Sequence, residues 1–342
     1  MMRARDLLIL SAIVLVAGFA VADAIRGDES SGPKIATDTE RSRTTTESVV
    51  PEPDENLGRT RQPPVSGAPG TIVLTEAGEC SVREFQVATG TELPNVVSSS
   101  TCELWAAPVT AKVAVGVGPA RGDSVPFRFV DLAHPGRNLG GYRARFGFVI
   151  WSPDGQRAAW CGENAAFDLE LGADARRLPE CPAAYTLENE IASAVGNRVV
   201  SGGRTLVRAS GGITLVRFGN DGSAAVVVEG RRLERYVRGQ RQGSVDLPER
   251  LEGRAPIFSP DNCAAGLRDG ETVRVLDLGC SRLQPDPLPG FTAAWSPDGR
   301  WLAVAGAGAI DFYDLSIDFD DLPGPRLVET WPITAARLAW RR

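Results

Sequence analysis

The chain has 342 residues, a net charge of −6 and a pI near 5.1. An acidic balance, with arginines scattered along the chain, excludes binding to nucleic acid or to an anionic membrane surface through net positive charge. With 37 glycines and 24 prolines, the composition is unusual for a helical protein.

The first element is an apolar run near the N-terminus. Two arginines precede the apolar residues 7–25, and a helix needs about 20 apolar residues to span a membrane. Arginines on the inner side place the rest of the chain outside the cytoplasm. Residues 1–26 are therefore predicted to be a single-pass anchor in the cell membrane. The alternative is a signal peptide with Ala20-Val21-Ala22 as its small-x-small cleavage site, which would give a secreted protein.

Residues 27–70 form the second segment, which is rich in Ser, Thr, Pro and Glu and has no aromatic residue. Such a segment cannot bury enough apolar surface to fold by itself. It is predicted to be a disordered linker, and about 40 flexible residues would hold a folded domain a few tens of ångströms from a membrane. A tether of this kind favours the anchor over the cleaved signal peptide.

From residue 71 to residue 342 the chain consists of short apolar runs separated by Gly, Pro, Asp and Asn. Ten runs, such as TIVLTEAG and RWLAVAG, have strand length and are rich in β-branched or aromatic residues. No window longer than about a dozen residues keeps the 3.6-residue apolar period of a helix. The pattern predicts one all-β domain, of a size typical of repeat or barrel architectures.

A repeated word marks the turns between these strands. WSPDG begins at Trp151 and again at Trp295, and FSPDN begins at Phe258. Proline presets φ at the first corner of such a turn, Asp suits the second, and Gly accepts positive φ. The word is therefore predicted to be a structural hairpin turn and not a binding site. The predicted turn residues are Ser152, Pro153, Asp154, Gly155, Ser259, Pro260, Asp261, Ser296, Pro297, Asp298 and Gly299.

The spacing of the turns predicts the global shape. When the related sequence FGNDG at Phe218 is included, the steps between successive turns are 67, 40 and 37 residues. A period near 40, with three or four strands per unit, is the signature of a β-propeller. The 67-residue step contains strands that look like an abbreviated blade, so six or seven blades are expected.

The two ends of the domain are expected to share one blade. Residues 333–340 (ITAARLAW) look like a first strand with no second strand after it. TIVLTEAGEC, at the start of the domain, looks like a second strand with no first strand before it. Pairing of the two would close the ring and leave no open edge.

The W/F-S-P-D-G hairpins resemble the repeats of TolB-type (WD-like) propellers, which also occur in the propeller domains of prolyl-oligopeptidase-type enzymes. The resemblance covers roughly residues 71–342 and is strongest at 146–180, 254–280 and 290–315. It implies a propeller fold but no particular function. The chain departs from both relatives, because a linker stands in place of the folded N-terminal domain of TolB and no hydrolase domain follows.

Six cysteines outside the cytoplasm indicate disulfides, and the repeat pattern divides them into three local pairs. Each pair is expected to meet at one end of its blade, within bridging distance. A metal site is the rival interpretation, but no C-x-x-C motif occurs. The predicted pairs are Cys80–Cys102, Cys161–Cys181 and Cys263–Cys280.

Residues suited to catalysis are scarce. No G-x-S-x-G elbow, phosphate-binding glycine loop or dinucleotide fingerprint occurs, so no cofactor is predicted. His134 is the only histidine, and its position in a turn indicates an exposed loop residue rather than a general base. RGDS at residues 121–124 lies in a predicted hairpin loop, but a motif this short recurs by chance.

Three carboxylates stand close together near the C-terminus, at Asp318, Asp320 and Asp321. They could ligate Ca²⁺, which takes several oxygen ligands at once. Their spacing does not match a complete Ca²⁺ loop. A solvated acidic loop is therefore the favoured interpretation, and the metal site is a weak candidate.

Together these features predict a disulfide-stapled propeller, held outside the cell membrane, that presents its loops to a protein or an envelope glycan. The alternatives are a hydrolase or lyase with its site in the axial channel, and an envelope sensor. An enzyme would require polar groups with shifted pKa values that converge at one mouth of the channel. Function is expected in the residues that the blades do not share.

Overall fold

The computed structural model describes residues 61–94, 97–121, 124–134, 137–145, 149–163, 165–247, 255–280, 286–316 and 325–342. All the regular secondary structure in these ranges consists of β-strands. The predicted membrane anchor and residues 27–60 of the predicted linker lie outside them. Within the described ranges, the chain forms no helix with the length and apolarity that a membrane crossing requires.

The strands form seven antiparallel sheets, which are the blades of a β-propeller. Blade 1 combines β29 (Ala335–Arg341) with β1 (Thr71–Glu76), β2 (Ser81–Gln86), β3 (Thr91–Glu92) and β4 (Val97–Ser98). Blade 2 contains β5 (Leu104–Ala106), β6 (Lys112–Gly116), β7 (Ser124–Asp131) and β8 (Asn138–Arg145). Blade 3 contains β9 (Val149–Trp151), β10 (Arg157–Cys161), β11 (Ala166–Glu170) and β12 (Arg176–Leu178).

The remaining four blades follow in chain order. Blade 4 contains β13 (Ala184–Tyr185), β14 (Ile191–Val195), β15 (Arg198–Ser201) and β16 (Arg204–Arg208). Blade 5 contains β17 (Ile213–Phe218), β18 (Ala224–Val228), β19 (Arg232–Val237) and β20 (Gln240–Asp246). Blade 6 contains β21 (Ile257–Phe258), β22 (Ala264–Asp269), β23 (Thr272–Asp277) and β24 (Leu288–Pro289). Blade 7 contains β25 (Thr292–Trp295), β26 (Trp301–Ala305), β27 (Ile310–Asp314) and β28 (Arg326–Trp331).

The chain therefore has seven blades, the larger of the two expected numbers. The 67-residue step contains a complete fourth blade and not an abbreviated one. Its first turn, residues 186–190, resembles the repeated word in shape: the Asn189 amide donates to the Thr186 carbonyl at 3.1 Å, and Asn189 has a left-handed φ of 61°. Thr and Asn here replace Ser and Gly, which keeps the turn chemistry but hides the copy from sequence comparison.

The ring closes through its two ends, as predicted. β29 pairs antiparallel with β1, and Trp340 lies opposite Ile72 in the register. The Trp340 indole N–H donates a hydrogen bond to the Pro69 carbonyl at 2.7 Å. The first and last strands are thus held in one sheet, and blade 1 fills the gap between blades 7 and 2.

The folded domain begins before residue 71. Val65 and Ala68 are buried in the core between blades 7 and 1. The Pro63 carbonyl accepts a hydrogen bond from the Trp331 indole at 2.7 Å. Residues 61–70 therefore belong to the propeller, although their Pro-rich composition is typical of the linker in which the sequence analysis placed them.

The core of the molecule lies between the faces of neighbouring blades. Buried apolar residues form six clusters, which fill the interfaces between blades 1 and 2, 2 and 3, 4 and 5, 5 and 6, 6 and 7, and 7 and 1. Between blades 2 and 3, for example, the Phe127 ring makes edge-on contacts with Phe129 and Trp160. Among the described residues, the interface between blades 3 and 4 has no such cluster.

Candidate functional site between blades 3 and 4

The repeated turns are held by their own polar residues. The serine hydroxyl accepts a hydrogen bond from the amide five residues later, at 2.9 Å for Ser152, 2.9 Å for Ser259 and 2.8 Å for Ser296. Each hydroxyl also donates to the aspartate two residues later, and these are Asp154, Asp261 and Asp298. Pro153, Pro260 and Pro297 stand between them, and Gly155 and Gly299 have φ of 66° and 72°.

The turns also bond to the turns of neighbouring blades. Thr110 Oγ1 of blade 2 donates to the Gly155 carbonyl of blade 3 at 3.1 Å. Asn189 Nδ2 of blade 4 donates to Asp154 Oδ2 of blade 3 at 3.0 Å. The polar groups of the repeated word thus form hydrogen bonds within and between the turns.

The three disulfides join Cys80 to Cys102, Cys161 to Cys181 and Cys263 to Cys280, with Cα–Cα distances of 4.5, 5.3 and 5.4 Å. These are the predicted pairs. The second bond ties the end of β10 in blade 3 to the connection that leads into blade 4. It therefore constrains the chain beside the one interface without an apolar cluster in the described part of the ring.

A buried ion cluster joins blades 3 and 4. Asp168 of β11 is 3% exposed. Its Oδ2 accepts hydrogen bonds from Arg157 and, at 2.7 Å, from Arg176 Nη2, while its Oδ1 accepts one from the Tyr185 hydroxyl of blade 4 at 2.7 Å. Arg157 Nη1 also donates to the Asn189 carbonyl of blade 4 at 3.1 Å. Polar contacts therefore stand where the other interfaces use apolar side chains.

The ionisation of this cluster follows from its hydrogen bonds. Burial alone would raise the pKa of the Asp168 carboxyl group, but hydrogen bonds from Arg157, Tyr185 and Arg176 outweigh burial and hold that pKa below its usual value. Burial and the bond to Asp168 raise the pKa of the Tyr185 hydroxyl. Asp168 is ionised and Tyr185 is neutral at neutral pH, and every charge has a partner, which favours a structural role.

Tyr185 occupies the position that tryptophan has in the repeated word. Trp151 and Trp295 each donate an indole N–H to a backbone carbonyl in the first strand of the preceding blade, at 3.1 and 2.8 Å. Tyr185 instead reaches the side chain of Asp168. This difference in one shared position makes the interface between blades 3 and 4 polar.

Two adjoining depressions of about 440 Å³ each form one groove along this interface, which we call the blade 3–4 groove. Ile191, Ser201 and Gly202 line both parts. The charged part is also lined by Arg157, Arg176 and Glu188. The aliphatic part is also lined by Leu178, Val195, Arg198 and Val200. The groove exists because short or polar side chains face each other across the two blades.

The other predicted site residues do not line this groove. His134 has a side chain that is 73% exposed and lies 3.2 Å from the Asp131 carboxylate, as expected for a loop residue. The two described residues of the RGDS sequence form a β-bridge with each other. Asp318, Asp320 and Asp321 lie outside the described residues, so the weak Ca²⁺ candidate stays a prediction. The described ranges hold no group of three side chains suited to bind a metal ion.

The first strands of the blades, which line the axis of the ring, contain arginines but no acidic residue in the described part of the chain. Arg217 of β17 is exposed. Arg337 of β29 pairs with Glu103 at 2.7 Å, and both side chains are partly exposed.

No protein-family model matches the chain, and no curated protein matches its sequence. Among solved structures, the β-propeller domain of Cps50 (Swd1) from Myceliophteria thermophila is similar, with a TM-score of 0.51 and 14% identity over 75% of this chain and 100% of that one. Hydrazine synthase from Kuenenia stuttgartiensis has a TM-score of 0.42 and 14% identity over 61% of this chain and 77% of that one. The first similarity supports the fold alone, that of a seven-bladed β-propeller.

Proposed function

We propose that the chain is a membrane-tethered, extracytoplasmic propeller of the TolB type that binds a partner protein in the blade 3–4 groove. Disulfides persist mainly outside the cytoplasm, and all six cysteines are paired. The apolar residues 7–25, followed by a Ser/Thr/Pro-rich stretch, support a tether to the cell membrane.

The observation that carries the proposal is the difference between one blade interface and the other six. Burial of apolar surface stabilises a fold by about 25 cal/mol per Å². An interface with ionic contacts and an open groove gives up part of this stabilisation. Sites of binding are commonly drawn from the less stable regions of a structure, and this interface is where blades 3 and 4 depart from the shared repeat.

The lining of the groove favours a protein over an envelope glycan. Sugar rings bind preferentially against aromatic side chains, and no aromatic residue lines either part of the groove. The aliphatic part instead offers side chains such as Val195, which is 38% exposed. Aliphatic pockets beside charged groups suit the alternating side chains of a peptide.

The other two functions suggested by the sequence have less support. A hydrolase or lyase in the axial channel needs paired acid–base groups, whereas the described first strands supply arginines without carboxylates. An envelope sensor would use the same groove, with the bound partner passing on the signal.

Photo-crosslinking in cells tests the proposal. A photoreactive amino acid replaces Val195 in the groove or, as a matched control, Val117 of blade 2, which is 39% exposed. We expect one discrete crosslinked product from Val195 and no product of that size from Val117. The same products from both positions, or no product from Val195, would contradict binding in the groove.

A further inference from the structure

The charge of the chain is unevenly distributed. Residues 184–246, which form blades 4 and 5, contain nine arginines and six acidic residues, a net charge of +3. The whole chain carries −6, so all other residues together carry −9. The interpretation of the arginines as scattered was therefore wrong, because the fold gathers those of blades 4 and 5 in one sector of the ring.

Two of these arginines lie opposite each other on neighbouring strands. Arg198 of β15 is directly across from Arg208 of β16 in the register, and both are exposed. Like charges in this arrangement destabilise a sheet. Neither guanidinium forms a hydrogen bond or an ion pair within the described ranges. Proteins keep such locally unfavourable arrangements mainly at functional sites, and two guanidinium groups side by side are suited to an anion.

Two further exposed arginines lie on β16 and in a turn that packs against it. Arg204 begins β16, and Arg238 lies in the turn between β19 and β20 of blade 5. This turn packs against β16, since a Cβ atom on Gly239 would lie 3.2 Å from the Leu206 carbonyl oxygen. Neither arginine has an acidic partner in the part of the chain that the structure describes. The basic rim is defined as Arg198, Arg204, Arg208 and Arg238.

The basic rim is continuous with the blade 3–4 groove, because Arg198 belongs to both. Three carboxylates line the groove beside it. Glu180 lines the aliphatic part, and Glu188 and Glu190 line the charged part, where Glu190 accepts a hydrogen bond from Ser201 Oγ at 3.1 Å. Four guanidinium groups against these three carboxylates leave the rim with a positive charge.

The outer edge of blade 4 is available for pairing. β16 is the last strand of its sheet, and its register partner among the described strands is β15. Backbone groups on the outer side of such a strand can pair with an added strand. A strand added there would run along the basic rim, with alternate side chains turned toward the groove.

We propose that the partner's contact segment is an extended acidic peptide that pairs with β16, with its carboxylates bound by the basic rim. This inference rests on the proposed function and names the chemistry of the partner. Guanidinium groups bind carboxylates through charge-assisted, often bidentate hydrogen bonds. The register places Arg198 and Arg208 on the groove face of the sheet, beside Val195. The acidic side chains would therefore turn toward the groove, and the aliphatic residues between them would turn to the opposite face.

Binding of synthetic peptides to the full-length protein tests this inference. The probe is a fluorescent peptide of alternating Glu and Val, and the controls are peptides of alternating Gln and Val or Lys and Val. Fluorescence anisotropy measures each Kd. We expect the Glu–Val peptide to bind at least ten-fold more tightly than the Gln–Val peptide, and this difference to shrink as salt is added. Equal affinity for all three peptides would overturn the inference.

Two double variants locate the binding site. R198Q/R208Q is expected to weaken binding of the Glu–Val peptide at least ten-fold and to leave the unfolding temperature equal or higher, because a like-charge repulsion is removed. R121Q/R326Q removes the same charge from exposed arginines of blades 2 and 7 and is expected to bind as the wild type does. Equal losses in both double variants would show that the peptide does not use the basic rim.

Two further outcomes separate this inference from the proposed function. A crosslink from Val195 without binding of the Glu–Val peptide would support the groove as the binding site and would contradict the proposal that the partner's contact segment is an acidic peptide. Polygalacturonate is the second anionic probe. Binding of polygalacturonate that R198Q/R208Q abolishes, without binding of the peptide, would replace the peptide by an anionic glycan.

Discussion

The Tyr185 hydroxyl of blade 4 donates a hydrogen bond to the Asp168 carboxylate of blade 3 at 2.7 Å. Two other blades carry tryptophan at the position of Tyr185. Asp168 is buried and is also bound by two arginines, so this contact, together with the hydrogen bond from Arg157 to the Asn189 carbonyl, couples the ion cluster to a second blade. Substitutions at these residues should destabilise the interface between blades 3 and 4 more than the rest of the ring.

Removal of the Tyr185 hydroxyl should destabilise the propeller. Y185F keeps the ring but leaves an Asp168 oxygen without its donor, and a hydrogen bond to a charged group contributes about 1.5–3 kcal/mol. Y313F is the matched control, because Tyr313 is also buried while its hydroxyl donates no hydrogen bond among the described residues. Urea unfolding measures both variants. Equal losses of stability would mean that the contact with Asp168 contributes nothing.

The contribution of Asp168 should depend on pH. Its pKa is lower in the folded protein than in the unfolded chain, so its stabilisation is complete above the unfolded value, near 3.9, and is lost as pH falls through the folded value. D168N should cost about 3 kcal/mol at neutral pH, because it breaks a buried ion pair. Unfolding of both proteins is measured from pH 7 to pH 2. The difference should shrink below about pH 4, and a constant difference would contradict the ionic role.

The propeller fold and its closure could be predicted from the sequence because turn chemistry is local. Pro, Asp and Gly specify a hairpin wherever they occur together, and β29 was visible as a strand without a neighbour. The sequence did not distinguish six blades from seven, because Thr186 and Asn189 form the same turn with residues that differ from the repeated word. Proline-rich composition likewise hid the packing of residues 61–70.

The candidate site could not be predicted in the same way, because it depends on which faces of separate strands meet. Asp168 lies in a third strand and Tyr185 in the first strand of the next blade, and no local pattern in either strand records that the two side chains meet. The basic rim was hidden by the net charge of −6, which averages a positive sector with a more negative remainder. Arg238 comes close to β16 through contact between two blades, which no local pattern records.

Gly155 should be less tolerant of substitution than a glycine of similar backbone conformation in open space. Its φ is 66°, and an added Cβ would lie 2.8 Å from Thr110 Oγ1 of blade 2. Gly196 has a φ of 59°, but no atom lies within 4 Å of an added Cβ. G196A should therefore cost about 1 kcal/mol for the backbone alone, and G155A more. Thermal unfolding compares the two, and equal costs would show that the turns do not brace neighbouring blades.

Arg341 should be essential for closure of the ring. Its guanidinium bonds to the Glu84 carboxylate of blade 1 and to the Thr110 carbonyl of blade 2, and burial lowers its pKa to about 10, so it stays charged at neutral pH. R341M should cost about 3–5 kcal/mol because it leaves Glu84 buried without a cation. The double variant E84Q/R341M should recover part of this loss.

Arg337, which lies on the same strand as Arg341, forms a partly exposed ion pair with Glu103 and is the control for this prediction. R337M should cost less than about 1 kcal/mol, since solvent screens a surface ion pair. Chemical unfolding of the three variants gives the comparison. A loss in E84Q/R341M as large as in R341M would indicate that Arg341 acts by packing and not through its charge.

The Cys161–Cys181 disulfide should have a local effect that the Cys263–Cys280 disulfide lacks. The two bonds close loops of similar length, 20 and 17 residues. Each should stabilise the fold by about 3 kcal/mol, because it lowers the conformational entropy of the unfolded chain. The first lies beside the interface held by polar contacts, whereas blade 6 packs apolar residues against both neighbours. The rate of amide hydrogen exchange should therefore increase mainly in blades 3 and 4 in C161S/C181S. In C263S/C280S the increase should show no preference for that interface. An even increase in both variants would mean that the polar interface is as tightly held as the others.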